Sequence, residues 1–284
     1  MTDYGHDLRF GVNVLPEAGR PEAVVGLARL ADRAGADLVT FQDHPYHPGF
    51  LDTWTLLSFV AAHTTRVRLA GNVHPVPLRP PAVLARAAAG LDVLSGGRFE
   101  LGLGAGGHWD AIEAMGGPRR TPGEAVDALE EAIAIVRATW AVDEPGGVHA
   151  GGRHYRVAGT ARGPRPAHAM GIWLGAYGPR MLRLTGRLAD GWLPSLPALE
   201  PGALAAGNAV IDEAAEEAGR DPAAIRRLLN LGGELPAERL AELALDDGVS
   251  TFILLTGDPR VVQRYVDETA PRVRALVAEA RGAA

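Results

Sequence analysis

The chain has 284 residues, a formal net charge of −6, no cysteine, and 28 basic residues that are all arginine. Without cysteine there are no disulfides, thiolate metal sites or cysteine nucleophiles; without lysine, Schiff-base aldolase chemistry, lysine-linked pyridoxal phosphate and the P-loop are excluded. The acidic balance, with no basic stripe, argues against nucleic acid as a partner, and no apolar run approaches the roughly 18 to 20 residues of a membrane span.

The opening stretch MTDYGHDLRFGV has no basic segment leading into an apolar core, so no secretory signal is expected and the expected location is cytoplasmic. The length suits one large domain over 1–284. Apolar, β-rich runs fall at 8–14, 38–41, 67–73, 98–103, 172–174, 191–193, 226–231 and 251–255. Helical patterns separate them at 22–34, 53–63, 82–94, 124–139, 180–188, 202–218, 237–245 and 259–280. Strands alternating with helices from end to end predict an α/β fold, a (β/α)8 TIM barrel. The strands are almost continuously apolar, as parallel strands covered on both faces must be. Residues 141–170, rich in Gly, Pro and Arg, lack a helical period and read as an insertion after the fourth helix, placed to cover the C-terminal mouth.

In such a barrel the chemistry sits on the loops that follow the strands. After strand two stand Gln42-Asp43-His44-Pro45-Tyr46-His47. His44 is suited to proton transfer near neutral pH, and Asp43 either orients a ring and accepts from a ligand N–H or simply braces its loop. A metal site from Asp43, His44 and His47 is the lesser reading, the remaining histidines show no ligand spacing, and no metal is expected. After strand three, Asn72-Val73 ends an apolar run and reads either as a ligand contact or as a prolyl-braced loop. After strand four, Gly102, Gly104 and Gly107 formally satisfy G-x-G-x-x-G, but in the wrong place for a dinucleotide fold; the glycines read better as room for a flat ring. After strand eight, Thr256-Gly257-Asp258-Pro259 reads as a structural helix start. Trp54, Leu56 and Leu57 read as core, and Glu130 and Glu131 as a solvated helix face. No Ser-His-Asp arrangement or pair of strand-end carboxylates supports a hydrolase.

The stretch 173–192, WLGAYGPRMLRLTGRLADGW, reads as strand, glycine turn, helix and next strand. A helix opening at Gly178-Pro179 presents free N–H groups and the positive end of its dipole to an anion, with Arg180 beside it. The same residues also suit an ordinary turn.

Taken in order, LRFGVNV, GADLVTFQDH, the block 64–106, RRTPGEAVDALEEAIAIVRATW and WLGAYGPRMLRLTGRLADGWLPS resemble the bacterial luciferase-like flavin and deazaflavin oxidoreductases over nearly the whole chain. The resemblance implies a (β/α)8 barrel with an insertion and a cofactor, coenzyme F420 or alternatively FMN, in its mouth. It implies His44 as the proton donor or acceptor, with Asp43 beside the ring. It places a non-prolyl cis peptide at Asn72-Val73 against the ring's back face. Gly104, Ala105 and Gly106 would line the ring, and Tyr177, Gly178, Pro179, Arg180 and Met181 would meet the phosphate. Relatives that oxidise a sugar phosphate carry acidic residues where Asn13 and Gly107 stand here, which sets that substrate aside. The expected activity is F420-dependent hydride transfer to or from a small organic molecule. The alternatives are an FMNH2-dependent monooxygenase and, last, a barrel that only binds its ligand. A homodimer, and a reductase supplying reduced cofactor, are the partners the resemblance allows.

Overall fold

In the computed structural model, which describes residues 2–283, strands β1 (Arg9–Val14) and β2 (Leu38–Phe41) flank helix α1 (Pro21–Ala34). Helix α1 begins at a proline in its first turn and ends at Gly35, whose φ of 95° is the left-handed conformation that closes a helix. Helix α2 (Thr53–Ala62) is capped by the Asp52 carboxylate, which accepts from the N–H of Thr55. The third predicted strand breaks in two. β3 (Arg68–Gly71) stops at a cis Asn72-Val73 bond, and β4 (His74–Pro75) resumes beyond it. There follow α3 (Pro81–Ser95), β5 (Phe99–Gly104), a short α4 (Trp109–Ala114) that the sequence pattern did not reveal, and α5 (Pro122–Trp140). Thr121 and Glu124 start α5 with a reciprocal capping box, two residues before the predicted boundary.

The barrel continues through β8 (Ile172–Leu174), α6 (Pro179–Leu188), β9 (Gly191–Trp192), α7 (Ala203–Glu217), β10 (Arg226–Leu231), α8 (Ala237–Asp247) and β11 (Val249–Leu255), after the hairpin β6 (Val148–Gly151) and β7 (Arg156–Thr160). The last predicted helix is α9 (Pro259–Arg264), a π-helical turn at Tyr265–Thr269 and α10 (Ala270–Gly282). Pro271 has no N–H for the carbonyl four residues earlier, and the widened turn lies just ahead of it. Asp258 caps α9 by accepting from the N–H of Arg260, as the sequence suggested.

The main sheet has nine strands in the order β3-β2-β1-β11-β10-β9-β8-β5-β4, and β3 also pairs with β5. That last pairing closes the sheet; β4 only extends β3 past the cis bond, so the parallel (β/α)8 barrel is complete. Phe10, Phe41, Phe99, Leu101, Leu103 and Phe252 are each at most 1 % exposed in its walls. Leu56 and Leu57 are buried, and Trp54 packs its ring against His74 and Phe99, at 5.1 and 5.4 Å between centroids. Among the described residues no helix is long and apolar enough to cross a membrane.

No residue of 141–170 stands in the wall of the cavity at the strand ends. Its hairpin packs on α5, where Glu131 accepts from the N–H groups of Arg153, His154 and Tyr155, and on α3, where Arg86 reaches Thr160 and the carbonyl of Ala161, while the Tyr155 hydroxyl donates to the carbonyl of Val76 just after β4. Glu131 therefore anchors a loop rather than facing water, and Glu130 pairs with Arg187 on α6. The Gly- and Pro-rich stretch forms a short antiparallel hairpin and holds a cis Gly163-Pro164 bond.

Candidate active site

A cavity of about 440 Å³ opens at the C-terminal ends of the strands. Its wall brings together Asp43, His44, Asn72, Val73, Gly104, Ala105, Gly106, Tyr177, Gly178 and Met181 from loops far apart in sequence. Pro179 and Arg180 are not part of that wall. The Arg180 guanidinium instead donates to Asp127 on α5 at 2.8 Å, both side chains being about half exposed. Tyr46, Pro75, Gly107, His108, Ile112, Gly175, Leu193, Ser195 and Asn230 complete the wall. No arginine lines it.

His44 is half-buried, and neither ring nitrogen has a hydrogen-bond partner among the described residues. Its ring stacks on Tyr46, 5.4 Å between centroids, and meets His108 edge-on at 5.7 Å. Burial lowers its pKa below the usual histidine value, the nearby His108 and His47 lower it further, and only the Asp43 charge opposes them. The imidazole thus favours its neutral form more than an ordinary histidine does, and it lines the cavity.

Asp43 is 1 % exposed, and its oxygens already have partners. His74 Nδ1 contacts one at 2.5 Å, and Arg79 donates Nε and Nη2 to the pair at 2.6 and 2.8 Å. Arg79 also reaches Asp52, the cap of α2, at 2.8 Å. Burial pushes the Asp43 carboxyl up, but the hydrogen bonds and charges of His74 and Arg79 outweigh it and hold the group below its ordinary range. Asp43 is therefore fixed as a carboxylate that ties the loop after β2 to the far side of the cis bond and to the starts of α2 and α3.

The Asn72-Val73 bond is cis, as the resemblance implied. The glycines around it also make room for the bulge itself. A Cβ on Gly104 would stand 2.8 Å from Cγ2 of Val73, one on Gly175 3.3 Å from it, and one on Gly102 would collide with the Gly71 carbonyl. These glycines make room for Val73 and the bulge. Gly107 and Gly178, by contrast, have open space where a Cβ would point.

A ladder of amides crosses the cavity floor. Asn72 Nδ2 donates to Asn230 Oδ1 at 2.6 Å, and Asn230 Nδ2 returns a bond to Asn72 Oδ1 at 3.2 Å. Asn72 also donates to Thr40, whose hydroxyl donates to buried Asn13, both at 3.2 Å. Ser195 closes the row, 3.4 Å from Asn230. Sequence reasoning missed Asn230 and Ser195. Asn230 was legible as the one amide in the apolar run Arg226–Leu231; Ser195 carried no such signal.

At the far end, α6 starts at Gly178 with no side-chain cap. The N–H groups of Arg180 and Met181 have no protein acceptor among the described residues. Among the described residues no three His, Asp or Glu side chains are grouped to hold a metal ion.

Comparison with known proteins places this geometry. The family profile described as luciferase-like monooxygenase matches residues 6–232. The chain belongs to the luciferase-like monooxygenase family. Within it, the chain is 36 % identical over 194 residues to a phthiodiolone/phenolphthiodiolone dimycocerosates ketoreductase of Mycobacterium kansasii, covering 67 % of this chain and 50 % of that one. It is 32 % identical over 226 residues to an F420-dependent glucose-6-phosphate dehydrogenase of Nocardia farcinica, covering 72 % and 66 %. The match thus spans half to just under two thirds of the length of these curated relatives. Solved structures share the luciferase-like barrel. An F420-dependent secondary alcohol dehydrogenase in complex with an F420-acetone adduct superposes with a TM-score of 0.80 at 18 % identity, covering 94 % of this chain and 99 % of that one. The long-chain alkane monooxygenase LadA superposes with a TM-score of 0.81 at 12 % identity, covering 98 % and 92 %. At such identities the likeness is one of fold.

Proposed function

We propose that this protein is an oxidoreductase that uses coenzyme F420 to transfer a hydride to or from a small, uncharged carbonyl compound or alcohol, with His44 as the acid/base. One observation carries the reading: a neutral, unpartnered imidazole stands in the barrel mouth at one end of a cavity whose other end is an uncapped helix N-terminus. The cofactor identity is supported by the relatives that are F420-dependent by name.

The residues present fit such a cofactor. The cavity falls in the ordinary range for small-molecule sites, about 300 to 1,000 Å³. Gly107 leaves open space at the wall, Asn230 and Ser195 offer polar atoms to a ring edge, and the N–H groups of Arg180 and Met181 face a phosphate without needing Arg180's side chain. When bound, F420 supplies or accepts the hydride. The protonated form of His44 would give its proton to the oxygen of a carbonyl substrate, and its neutral form would take the proton from an alcohol. Asp43, paired to His74 and Arg79, keeps the loop that carries His44 in place. Ile112, Leu193 and Val73 keep the reacting end apolar. With no arginine in the wall, a phosphorylated sugar would find no charge to hold it.

Four of the six large exposed apolar side chains, Phe59, Val83, Val93 and Leu94, lie on α2 and α3. This face supports a homodimer. A separate reductase is needed only where the reaction consumes reduced cofactor.

The test is a titration of the purified protein with F420 and with FMN, followed by turnover of a panel of ketones and secondary alcohols. Binding of F420 with His44-dependent turnover is expected. Tight FMN binding without F420 binding, with oxygen uptake driven by FMNH2, would replace this reading by the monooxygenase one.

A further inference from the structure

The wall holds a second imidazole that the proposed chemistry does not use. His108 occupies the cap position of α4, yet its side chain makes no capping hydrogen bond to the helix. Cap positions favour Ser, Thr, Asp and Asn because those side chains do make that bond. Here the ring is turned into the cavity, 5.7 Å from His44 and 5.5 Å from Tyr46 between centroids. His108 is exposed, whereas His44 is half-buried. The two rings therefore form a row from water to the reacting end.

We propose that His44 and His108 act as one acid–base pair, with His108 as the solvent-side member that passes protons to and from His44. This rests on the oxidoreductase reading for its chemistry, and its geometry stands apart from that reading. In the reducing direction the substrate carbon gains a hydride and its oxygen gains the His44 proton. His44 is left neutral, and the replacement proton comes from water through His108. In the oxidising direction the same proton travels outward. The 5.7 Å edge-on spacing suits one bridging water between ring nitrogens. A charge on His108 disfavours a proton on His44.

The groups facing the pair leave this role to His108. On the loop of His44, Asp43 is committed to His74 and Arg79, and His47 stacks on Phe50 at 4.0 Å. On α4, Asp110 and Glu113 are paired with Arg119. Tyr46 is held in its phenol form by burial, with a further push from the Asp43 charge. The Tyr177 hydroxyl accepts from the N–H of Ser195 at 3.1 Å. Histidine 108 is the titratable side chain with water on one side and His44 on the other.

The experiment has two arms. Histidine ring NMR of the protein without cofactor follows the His44 titration in wild type, His108→Gln and His108→Ala. The midpoint for His44 should move upward in both variants; an unmoved midpoint overturns the pair. In turnover with F420, His108→Gln should lose about tenfold in kcat, with KM and cofactor affinity unchanged, and added imidazole should restore the rate. A rate that does not fall, or a loss that imidazole does not repair, overturns the relay. Absence of F420 binding in wild type would defeat the proposed function, and the NMR arm would still decide the pair.

Discussion

Asp43 and His74 are hydrogen bonded at 2.5 Å with both side chains fully shielded from water. They belong to successive strand ends on either side of the cis bond, so the bond between them fixes the bulge against the loop of His44. Arg79 supplies the neutralising charge, and His74 Nε2 is left without a partner. Removing one member of a buried ion pair leaves the others unpaired and costs about 3 to 5 kcal/mol. Asp43→Ala should therefore destabilise by that order in urea unfolding, and Asp43→Asn by less. Because the carboxyl is depressed in the fold, it contributes stability above its unfolded value of about 4, lost as pH falls through the lower folded value. Wild type should accordingly lose stability on acidification below about pH 4, and Asp43→Asn should show a shallower loss. Equal acid slopes in the two proteins would contradict the assignment.

His44 sets the pH dependence of catalysis. Its pKa lies below the ordinary histidine value, chiefly through burial. Carbonyl reduction needs the protonated ring, so its kcat/KM should fall as pH rises through a midpoint below about 6.5. Alcohol oxidation needs the neutral ring and should rise through the same midpoint. His44→Ala should cost about 10² to 10⁴ in kcat while cofactor still binds. The paired pH profiles are the check: profiles that move in the same sense for both directions would remove His44 from the role.

The barrel was legible because buried parallel strands and amphipathic helices leave strong local periodicities, as in β5 and α6. The loop residues next to strand ends were legible as positions, and most of the residues drawn from those loops meet in one cavity. Their partners were not. Nothing in the spacing of Asp43, His74 and Arg79 announces a triad, because the contacts form only when the strands line up side by side. The second neighbour of Gly104 was illegible for the same reason. The space its Cβ would take is held by Val73, which stands in the bulge between β3 and β4. The insertion was legible as a break in the helical rhythm and its hairpin was not: Gly and Pro signal turns, and they do not say what the turn packs on.

Gly104 and Val73 should behave as a coupled pair. A Cβ added at Gly104 stands 2.8 Å from Val73 Cγ2, too close to be absorbed without displacing that side chain. Gly104→Ala should therefore destabilise by about 1 to 3 kcal/mol and weaken cofactor binding by pushing Val73 into the cavity. Val73→Ala removes the colliding methyl, so the double variant should recover part of the loss, with a coupling energy of about 0.5 kcal/mol or more. Denaturant melts of the four proteins measure it, and strict additivity would refute the contact.

The apolar face of α2 and α3 should be a dimer contact. Leu94 is 87 % exposed and lines a groove between the two helices together with Trp54, Ser58, Ala61, Ala62, Ala87 and Leu91. Leaving such side chains in water forgoes about 1.5 to 3 kcal/mol each. In a two-fold interface each position is used twice, so Leu94→Glu should weaken association by at least about 100-fold. Sedimentation at micromolar concentration should show the wild type near twice its 29.8 kDa and the variant as monomer. Met115, 50 % exposed on the loop after α4, serves as the control, and Met115→Glu should leave association unchanged. A wild type that sediments as a monomer, or a dimer indifferent to Leu94→Glu, would mean that this face does not mediate self-association.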